Sequence, residues 1–316
     1  MKFSITIPAY KSQFLNEAIR SVIAQTFGDW ELIIVDDCSP EHLRAIAEPY
    51  LYDSRIHYYR NEKNCGAVNV VDNWNTCLSY TAGDYVICMG DDDLLLPCCL
   101  EEYKKLIDKY PLLNVYHART QIIDDKGSII NLQGPRPEWE SVLSLIWNRW
   151  DNRHRQFLGD FCYRTDYLKA AGGYYKQPLA WGSDDITAAL AAKGNGIANS
   201  QCFCFQYREN AMTISKSSRN AHLKVEATLA HYCWFTNFIK ELSIGDSTSN
   251  DQFYKQTIET PRRKFFISII GIYCSESMRA NPMKLFRYRK LLKNMQIPTV
   301  HFVKWYLESF YYLFVK

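Results

Sequence analysis

The alternation of apolar runs with helical segments over the first 93 residues is the feature that most constrains how this chain can fold. Four of the runs are short and rich in β-branched or aromatic residues, which is typical of buried strands. They lie at 2–8, 31–35, 55–59 and 84–89. The segments between them show helical periodicity, as at Leu15 and Ile19. This order predicts an α/β fold of Rossmann-like type, with a mostly parallel sheet and helices on both faces.

Polar or aromatic clusters follow three of these runs at the point where each predicted strand ends. They are Pro8, Ala9 and Tyr10 after the first run, Asp36 and Asp37 after the second, and Asp91, Asp92 and Asp93 after the fourth. Open α/β sheets bind their ligands at the carboxyl ends of the strands, near the point where the strand order reverses. We therefore expect the three clusters to line one crevice.

The three consecutive carboxylates at 91–93 indicate a bound cation. Like charges a few ångströms apart raise one another's pKa, so an opposite charge is expected among them. Mn²⁺ or Mg²⁺ fits best, because such ions are held by one or two carboxylates and completed by substrate phosphates and water. The alternative is a run of turn and capping acids before a helix that begins near Pro97.

Taken in order, these residues resemble the signature of the family 2 inverting glycosyltransferases, which have the GT-A fold. The matching segments are 8–10, 35–39, 64–66, 82–85, 90–93 with Pro97, and 172–174. The resemblance extends over roughly the first 215 residues. It implies a GT-A domain at 1–222, divided into a nucleotide-sugar-binding half at 1–110 and an acceptor-binding half at 111–222. A helical, basic and aromatic C-terminal region at 223–316 is not part of it.

The resemblance also implies a role for individual residues of the donor site. The donor would be a nucleotide sugar, usually a UDP-sugar. The nucleotide-binding residues would be Pro8, Ala9 and Tyr10 around the base, Asp37 with Asp36 at the uracil, Asn64 beside the nucleotide and Asp91 at the ribose or the waters of the metal. Asp92, five residues before Pro97, would be the metal ligand, with Asp93 as a second candidate. Because Gly90 stands where the family commonly has an acid, the choice among Asp91, Asp92 and Asp93 stays open.

Two further sites come from the second half of the resemblance. Transfer to a hydroxyl with inversion needs a carboxylate as general base, and the family carries it near the start of a helix after a double-glycine turn. The candidates here are Asp184, which we favour, and Asp185; a helix-capping role is the alternative for either. Arg208, followed by Ser215, resembles a late segment near the diphosphate, although a surface arginine would give the same pattern.

The net charge of +3 is unevenly distributed along the chain. Residues 219–316 hold 15 basic and 7 acidic residues, so the tail is basic and the body acidic. The overall balance excludes a protein built to neutralise nucleic acid. The basic and aromatic tail, with Arg262, Arg263, Lys264, Arg287, Arg289, Lys290, Lys293, Trp305 and Tyr306, is typical of an interfacial helix on an anionic membrane. Packing on the catalytic domain, or self-association, is equally compatible with it.

Eleven scattered cysteines without a metal-binding or disulfide pattern favour a reducing compartment. The longest apolar run, at 265–274, is too short to span a bilayer, and the N-terminus does not resemble a signal peptide. We therefore expect a cytoplasmic protein, with peripheral attachment to the inner face of the cytoplasmic membrane as a further hypothesis.

The function that these patterns favour is a metal-dependent inverting glycosyltransferase acting on a glycan or lipid-linked acceptor in surface polysaccharide biosynthesis. One alternative is a nucleotidyltransferase, but such an enzyme is expected to have a glycine-rich basic loop after the first strand, which 8–12 does not supply. The other alternative is a non-catalytic scaffold that binds nucleotides or glycans. The acids present at 36–37, 91–93 and 184–185 argue against it.

Overall fold

The computed structural model describes residues 1–210, 220–242, 249–280 and 297–314, together with Tyr288 and Lys293. Ser215, Arg287, Arg289 and Lys290, named above, lie outside these residues. The strands are β1 Phe3–Ala9, β2 Trp30–Asp36, β3 Ile56–Arg60, β4 Tyr85–Cys88, β5 Leu94–Leu95, β6 Val115–Ile123, β7 Ile129–Leu132, β8 Trp139–Glu140, β9 Phe161–Arg164 and β10 Ile197–Arg208. The helices are α1 Leu15–Ile23, α2 Leu43–Ala47, α3 Val70–Ser79, α4 Cys99–Lys109, α5 Val142–Trp150, α6 Thr165–Ala170, α7 Ser183–Ala192, α8 Ala221–Glu241, α9 Ser249–Thr257, α10 Glu259–Ala280 and α11 Thr299–Phe314.

The strands form one sheet in which the order is β3-β2-β1-β4-β9-β6-β10-β5. β1 lies between β2 and β4 and is parallel to both. The chain adds β2 and β3 on one side of β1 and then β4 on the other, so the strand order reverses between β1 and β4. This is the topological switch point at which α/β sheets bind ligands. The four strands predicted from the apolar runs are confirmed, and their carboxyl ends lie along the same edge.

The second half of the sheet departs from simple β-α-β alternation. β9 lies antiparallel between β4 and β6, and β10 returns parallel to β6. Short antiparallel strands β5, β7 and β8 complete the edges. Because β9 is inserted antiparallel between β4 and β6, residues from 115–208 lie beside the end of β4. Both halves of the chain therefore contribute to the edge that carries the acidic cluster.

The C-terminal helices share a hydrophobic core with the second half of the sheet. Trp150 of α5 packs edge-to-face on Phe235 of α8 and Phe266 of α10, with ring centroids 5.2 and 5.7 Å apart. The predicted boundary between residues 222 and 223 falls inside α8. The described part of the tail is thus helical, as expected, and its inner faces are packed on the second half of the sheet.

Two expectations about compartment and membrane can be compared with the structure. All eleven cysteines are free thiols. None of the helices in the described ranges is both long enough and apolar enough to cross a bilayer.

A buried carboxylate fastens the amino-terminal edge of the central strands. Glu31 of β2 accepts hydrogen bonds from the Ser4 hydroxyl at 2.6 Å, the Ala82 backbone N–H at 2.7 Å and the Lys2 ammonium at 2.5 Å. These donors come from β1 and from the turn before β4. The hydrogen bonds and the charge of Lys2 outweigh the burial of Glu31, which by itself raises a pKa, and so hold its pKa below the usual value.

We expect Glu31→Ala to lower the free energy of unfolding by about 1–3 kcal/mol, because it removes the acceptor of the buried Ser4 hydroxyl and of the Ala82 backbone N–H. Urea denaturation monitored by circular dichroism measures the change. Glu48→Ala, which removes an exposed partner of Arg44, is the matched control and should change stability by less than about 0.5 kcal/mol. Equal losses in the two variants would contradict this account.

Candidate active site

A single carboxylate joins the ends of the two strands at the switch point. Asp91, which follows β4, accepts hydrogen bonds from the backbone N–H groups of Tyr10 and Lys11, both at 2.7 Å. These two residues follow β1. The side chain of Asp91 is buried, and burial together with the charge of Asp92 raises its pKa to about 6. The first and third predicted clusters therefore meet in one crevice, as the sequence indicated.

The second cluster is tied to the same crevice through the backbone of β1. The Asp37 N–H donates to the Ala9 carbonyl at 2.9 Å, and the Ser39 hydroxyl donates to the Tyr10 carbonyl at 2.6 Å. The Asp37 carboxylate accepts from the Asn61 amide at 2.9 Å and from the Cys65 N–H at 3.0 Å. It therefore lies between the end of β2 and the loop at 61–66.

Asp36 has a different role from its neighbour. It is fully buried, and its carboxylate accepts hydrogen bonds from the Ser39 N–H at 2.7 Å and the Tyr58 hydroxyl at 2.6 Å, and it pairs with Arg60. All of these partners are protein groups that hold the turn after β2. The geometry therefore assigns Asp36 to the support of Asp37, and a direct contact with the nucleotide stays a prediction.

The remaining nucleotide-site candidates surround this crevice. Pro8 and Ala9 are the last residues of β1, and Tyr10 follows with 43% of its surface exposed. Asn64 is partly exposed in the loop beside Cys65, which donates to Asp37. These positions are compatible with a base lying across the ends of β1 and β2.

The three consecutive acids at 91–93 have three different environments. Asp93 is buried and accepts from the Arg208 N–H at 2.9 Å and the Gly90 N–H at 3.3 Å, while burial and the charge of Asp92 hold its pKa well above the usual value. Asp92 is the one whose carboxylate meets side-chain donors, namely Asn210 at 2.7 Å and Lys11 at 3.3 Å. Asp92 is therefore the carboxylate most available to a ligand.

Gly90 provides the space in which these carboxylates pack. A Cβ at this position would lie 2.8 Å from Asp92 Oδ1 and 2.9 Å from Asp93 Oδ2. No larger residue fits without moving one of them. This explains why glycine stands at a position where the family signature commonly has an acid.

Lys11 supplies the positive charge of the crevice. Burial alone would lower the pKa of this amine, but the neighbouring charges of Asp92 and Asp91 raise it above the usual value. Across the described ranges, no group of three or more His, Cys, Asp or Glu side chains is arranged to hold a metal ion. The donor chemistry nevertheless fits a hard divalent ion bound by Asp92 and by substrate phosphates, since Mg²⁺ is usually held by one or two carboxylates.

Arg208 is buried and its guanidinium is committed to protein groups. It donates to the Asp92 carbonyl at 2.9 Å, the Asp124 carbonyl at 3.1 Å and the Glu17 carboxylate at 2.8 Å, and it stacks 4.0 Å from the Phe14 ring centroid. The predicted diphosphate contact would require one of these bonds to be given up. The geometry instead gives Arg208 the task of fixing the backbone around Asp92.

The two base candidates open helix α7 and differ in their partners. Asp185 is buried, and its carboxylate accepts from Arg149 Nε at 2.9 Å. Asp184 is partly exposed. Neither residue is the N-cap, which is Gly182 without a side-chain cap, but both lie in the first turn, where the helix dipole favours an acid, so the alternative stays open.

Desolvation raises the pKa of Asp184 to about 7, and the charge of Asp185 adds to this while Arg149 opposes it. A general base works best when its pKa is near the operating pH. Asp184 has the electrostatic properties of such a base, whereas Asp185 is neutralised by an arginine.

Several contributors were not identified from the sequence. Lys11 and Asn210 contact Asp92, and Arg149 distinguishes the two base candidates. Lys11 stands two residues after the end of β1, and its position in the sequence could have identified it as a residue of the site. Arg149 lies 36 positions before its partner, and no sequence pattern connects the two.

Comparison with known proteins then decides the family. The family described as Glycosyl transferase family 2 matches residues 4–168, more than half of the chain. The chain belongs to glycosyltransferase family 2. The glycosyltransferase is 33% identical over 248 residues to UDP-Glc:alpha-D-GlcNAc-diphosphoundecaprenol beta-1,3-glucosyltransferase WfgD of Escherichia coli, a match that covers 75% of this chain and 91% of that protein. The matches to other curated relatives cover less than half of the length of those proteins.

Solved structures support the fold of this glycosyltransferase along its whole length. TarS 1-349 of S. aureus in complex with UDP-GlcNAc superimposes with a TM-score of 0.67 at 16% identity, covering 99% of this chain and 91% of that one. Mannosyltransferase PcManGT from Pyrobaculum calidifontis, in complex with GDP-Man and Mn2+, superimposes with a TM-score of 0.56 at 13% identity, covering 98% and 85%. The predicted GT-A fold with C-terminal helices is confirmed.

We expect the Asp184 carboxyl to titrate near pH 7. Carbon-13 NMR of aspartate-labelled protein measures this midpoint, and loss of the resonance in Asp184→Asn assigns it. Asp185→Asn removes a neighbouring negative charge and should lower the midpoint. A midpoint near 4 in the unsubstituted protein would contradict the assignment.

Proposed function

We propose that the chain is an inverting hexosyltransferase that moves a sugar from a UDP-sugar to a hydroxyl of a glycan or lipid-linked acceptor in surface polysaccharide biosynthesis. The observation that carries the proposal is the junction at Asp91. Its two hydrogen bonds bring the base-binding end of β1 against the acidic end of β4. A nucleotide and its diphosphate can therefore lie in one crevice.

The choice of a uridine nucleotide rests on Asp37 and on the relatives. The Asp37 carboxylate, held by Asn61 and Cys65, is an acceptor of the kind that the N–H of a uracil ring requires. WfgD is named for a UDP-glucose donor and a diphosphoundecaprenol-linked acceptor, and the TarS structure contains UDP-GlcNAc. These names support the donor and acceptor classes.

The proposed reaction is a displacement at the anomeric carbon. The acceptor oxygen forms the new C–O bond while the bond from the anomeric carbon to the diphosphate oxygen breaks, and the nucleoside diphosphate leaves with the electron pair. Asp184 takes the proton of the attacking hydroxyl. Arg149 donates a hydrogen bond to the Asp185 carboxylate, so Asp184 is the acid that we propose as the acceptor of this proton.

Asp92 is the residue that we propose as the protein ligand of Mn²⁺ or Mg²⁺, with diphosphate oxygens completing the site. When bound, such an ion neutralises charge that develops on the leaving diphosphate. The Asp93 carboxylate is directed to backbone donors and is the weaker candidate. The PcManGT complex with GDP-Man and Mn2+ supports a metal in this fold.

The nucleotidyltransferase alternative is less well supported. Such an enzyme would use the backbone N–H groups of the loop after β1 to hold phosphate. In this chain the N–H groups of Tyr10 and Lys11 already donate to Asp91. That loop is therefore used to join two strand ends.

Two substitutions test donor binding and catalysis separately. We expect UDP with Mn²⁺ to raise the Tm of the unsubstituted protein, and expect Asp92→Ala to lose this shift because it removes the proposed ligand. Asp184→Asn should keep the shift and lose transfer from a UDP-sugar by 10²-fold to 10⁴-fold, about the range that general bases contribute. Differential scanning fluorimetry and a UDP-release assay measure the two effects.

Asp108→Ala removes an exposed acid from α4 and is the control for loss of negative charge, so its Tm shift and its transfer rate should both be unchanged. An equal UDP shift without metal would contradict the role of Asp92. Full transfer by Asp184→Asn would contradict the assignment of the base.

An exposed apolar stripe on α11 extends the proposal to location. Val300, Val303, Leu307 and Tyr311 recur at helical spacing with 69, 53, 62 and 64% of their surface exposed. Ile272 of α10 is exposed beside them, at 54%. The composition of the tail predicted Trp305 at a membrane interface, but its side chain is buried. Its indole packs so closely on Gly271 of α10 that a Cβ there would lie 2.5 Å from the indole nitrogen.

We propose that this stripe lies on an anionic bilayer at the cytoplasmic face of the membrane, where lipid-linked acceptors are presented. The groove between α10 and α11, with a volume of about 1010 Å³, is lined by Lys264 and Lys304 and also by Glu276 and Glu308, and Lys304 pairs with Glu308. The exposed apolar side chains complement acyl chains, and Lys264 complements an anionic headgroup.

Flotation with vesicles of phosphatidylglycerol and phosphatidylcholine tests this location. We expect the protein to float with them, and expect Val303→Ser/Leu307→Ser to remain in the dense fraction. Leu112→Ser/Ile130→Ser replaces two exposed apolar residues elsewhere and should float normally. A protein that fails to float but forms dimers, lost in the α11 variant, would show that the stripe binds a second copy instead.

A further inference from the structure

The turn that leads into the catalytic helix has an unusual backbone. Leu179 and Ala180 have φ angles of 62° and 54°, and Gly182 has a φ of 79°. Non-glycine residues rarely adopt this left-handed region, and two in succession must be held by their surroundings. Asp184 lies two residues beyond Gly182, so whatever holds this turn also places the Asp184 carboxylate.

One face of α8 holds the turn. Lys224, Thr228 and His231 are spaced four and three residues apart, which puts them on one side of the helix, and each is at least 97% buried. This polar face was not among the sequence predictions, which named only basic and aromatic residues of the tail.

Each of these residues makes a specific contact with the turn. The Thr228 hydroxyl accepts a hydrogen bond from Trp181 Nε1 at 2.9 Å. The His231 ring packs on Gly182, where a Cβ would lie 2.5 Å from its Nδ1. The Lys224 ammonium lies 5.2 Å from the ring centroid of Trp181. The contacts fix both the side chain of Trp181 and the backbone of Gly182.

The same turn is braced from other directions. Trp181 packs edge-to-face on Tyr273 of α10, with centroids 5.0 Å apart. Residues 178–180 also pack against residues 67–69, which follow the loop of Asn64. The turn therefore lies between the nucleotide side of the crevice and the C-terminal helices.

We propose that Thr228 and His231 are positioning residues for the transfer reaction, and that they act on Asp184 through Trp181 and Gly182. This inference rests on the proposed function, because it takes Asp184 as the base. It assigns the C-terminal region a part in catalysis that lies outside the segment matched by the family. Misplacing a reacting group by about 1 Å can lower a rate by about 10²-fold, so loosening this turn should reduce kcat.

Two threonines of α8 provide a matched pair for the test. Thr228 and Thr236 each donate to the carbonyl four residues earlier, and each accepts from a side chain of another element. The donor is Trp181 at the turn for Thr228, and Arg262 of α10 for Thr236. Replacing either by valine removes the same kind of interaction, and only Thr228 contacts the turn.

We expect Thr228→Val to lower kcat by about tenfold, with the KM for the UDP-sugar unchanged, because the donor site itself is not altered. Thr228→Ser keeps the hydroxyl and should restore kcat. Thr236→Val should change kcat by less than about twofold. Steady-state kinetics of UDP release, at saturating acceptor, measures all three.

Trp181→Phe supplies a second route to the same bond, because it removes the indole donor and keeps an aromatic ring. The double variant with Thr228→Val should lose no more activity than either single variant, since both remove one interaction. Additive losses, or equal losses in Thr228→Val and Thr236→Val, would overturn the proposal. If the unsubstituted protein shows no transfer, or if Asp184→Asn is fully active, it is the proposed function that fails.

Discussion

The rest of the site depends on the Asp91 carboxylate, which accepts hydrogen bonds from two backbone N–H groups. β1 and β4 are parallel neighbours at the point where the strand order reverses. Their pairing alone does not fix how the segments after the two strands are placed relative to each other. Asp91 fastens the residues after β1 to the residues after β4. Ser39 and Asp37 then attach the end of β2 to the same backbone. The crevice is therefore set by main-chain hydrogen bonds before any ligand enters.

The same constraint explains how three adjacent carboxylates are tolerated. Asp91 and Asp93 are turned inward to backbone donors, and the burial of both raises their pKa. Asp92 is left facing Lys11 and Asn210. Arg208 supports this arrangement with two hydrogen bonds. Its guanidinium donates to the Asp92 carbonyl, and its backbone N–H donates to the Asp93 carboxylate. One carboxylate is thus left to side-chain donors, with a lysine as one of its partners.

Much of the first half could be predicted from the sequence, because local patterns determine it. The apolar runs, the acids at their ends and the helical spacing at 15–23 lie within single elements. The base could be narrowed only to a pair, since the distinction between Asp184 and Asp185 depends on Arg149 of α5. The role of Arg208 also depends on burial against Glu17 and Phe14, which no local pattern reveals. Likewise, the packing of α8 and α10 on the second half is a property of tertiary structure, and composition alone left a membrane surface and packing on the body of the protein equally open.

The shared core of the C-terminal helices gives them two faces with separate constraints. Their inner side chains, such as Phe235, Phe266 and Trp305, are fixed by packing with the glycosyltransferase half. The outer positions Val300, Val303 and Leu307 of α11 are each more than half exposed. Substitutions at these three positions are therefore expected to cost little of the packing that the inner side chains provide. In evolutionary terms, a protein built in this way can change the surface on which it works while its chemistry stays the same.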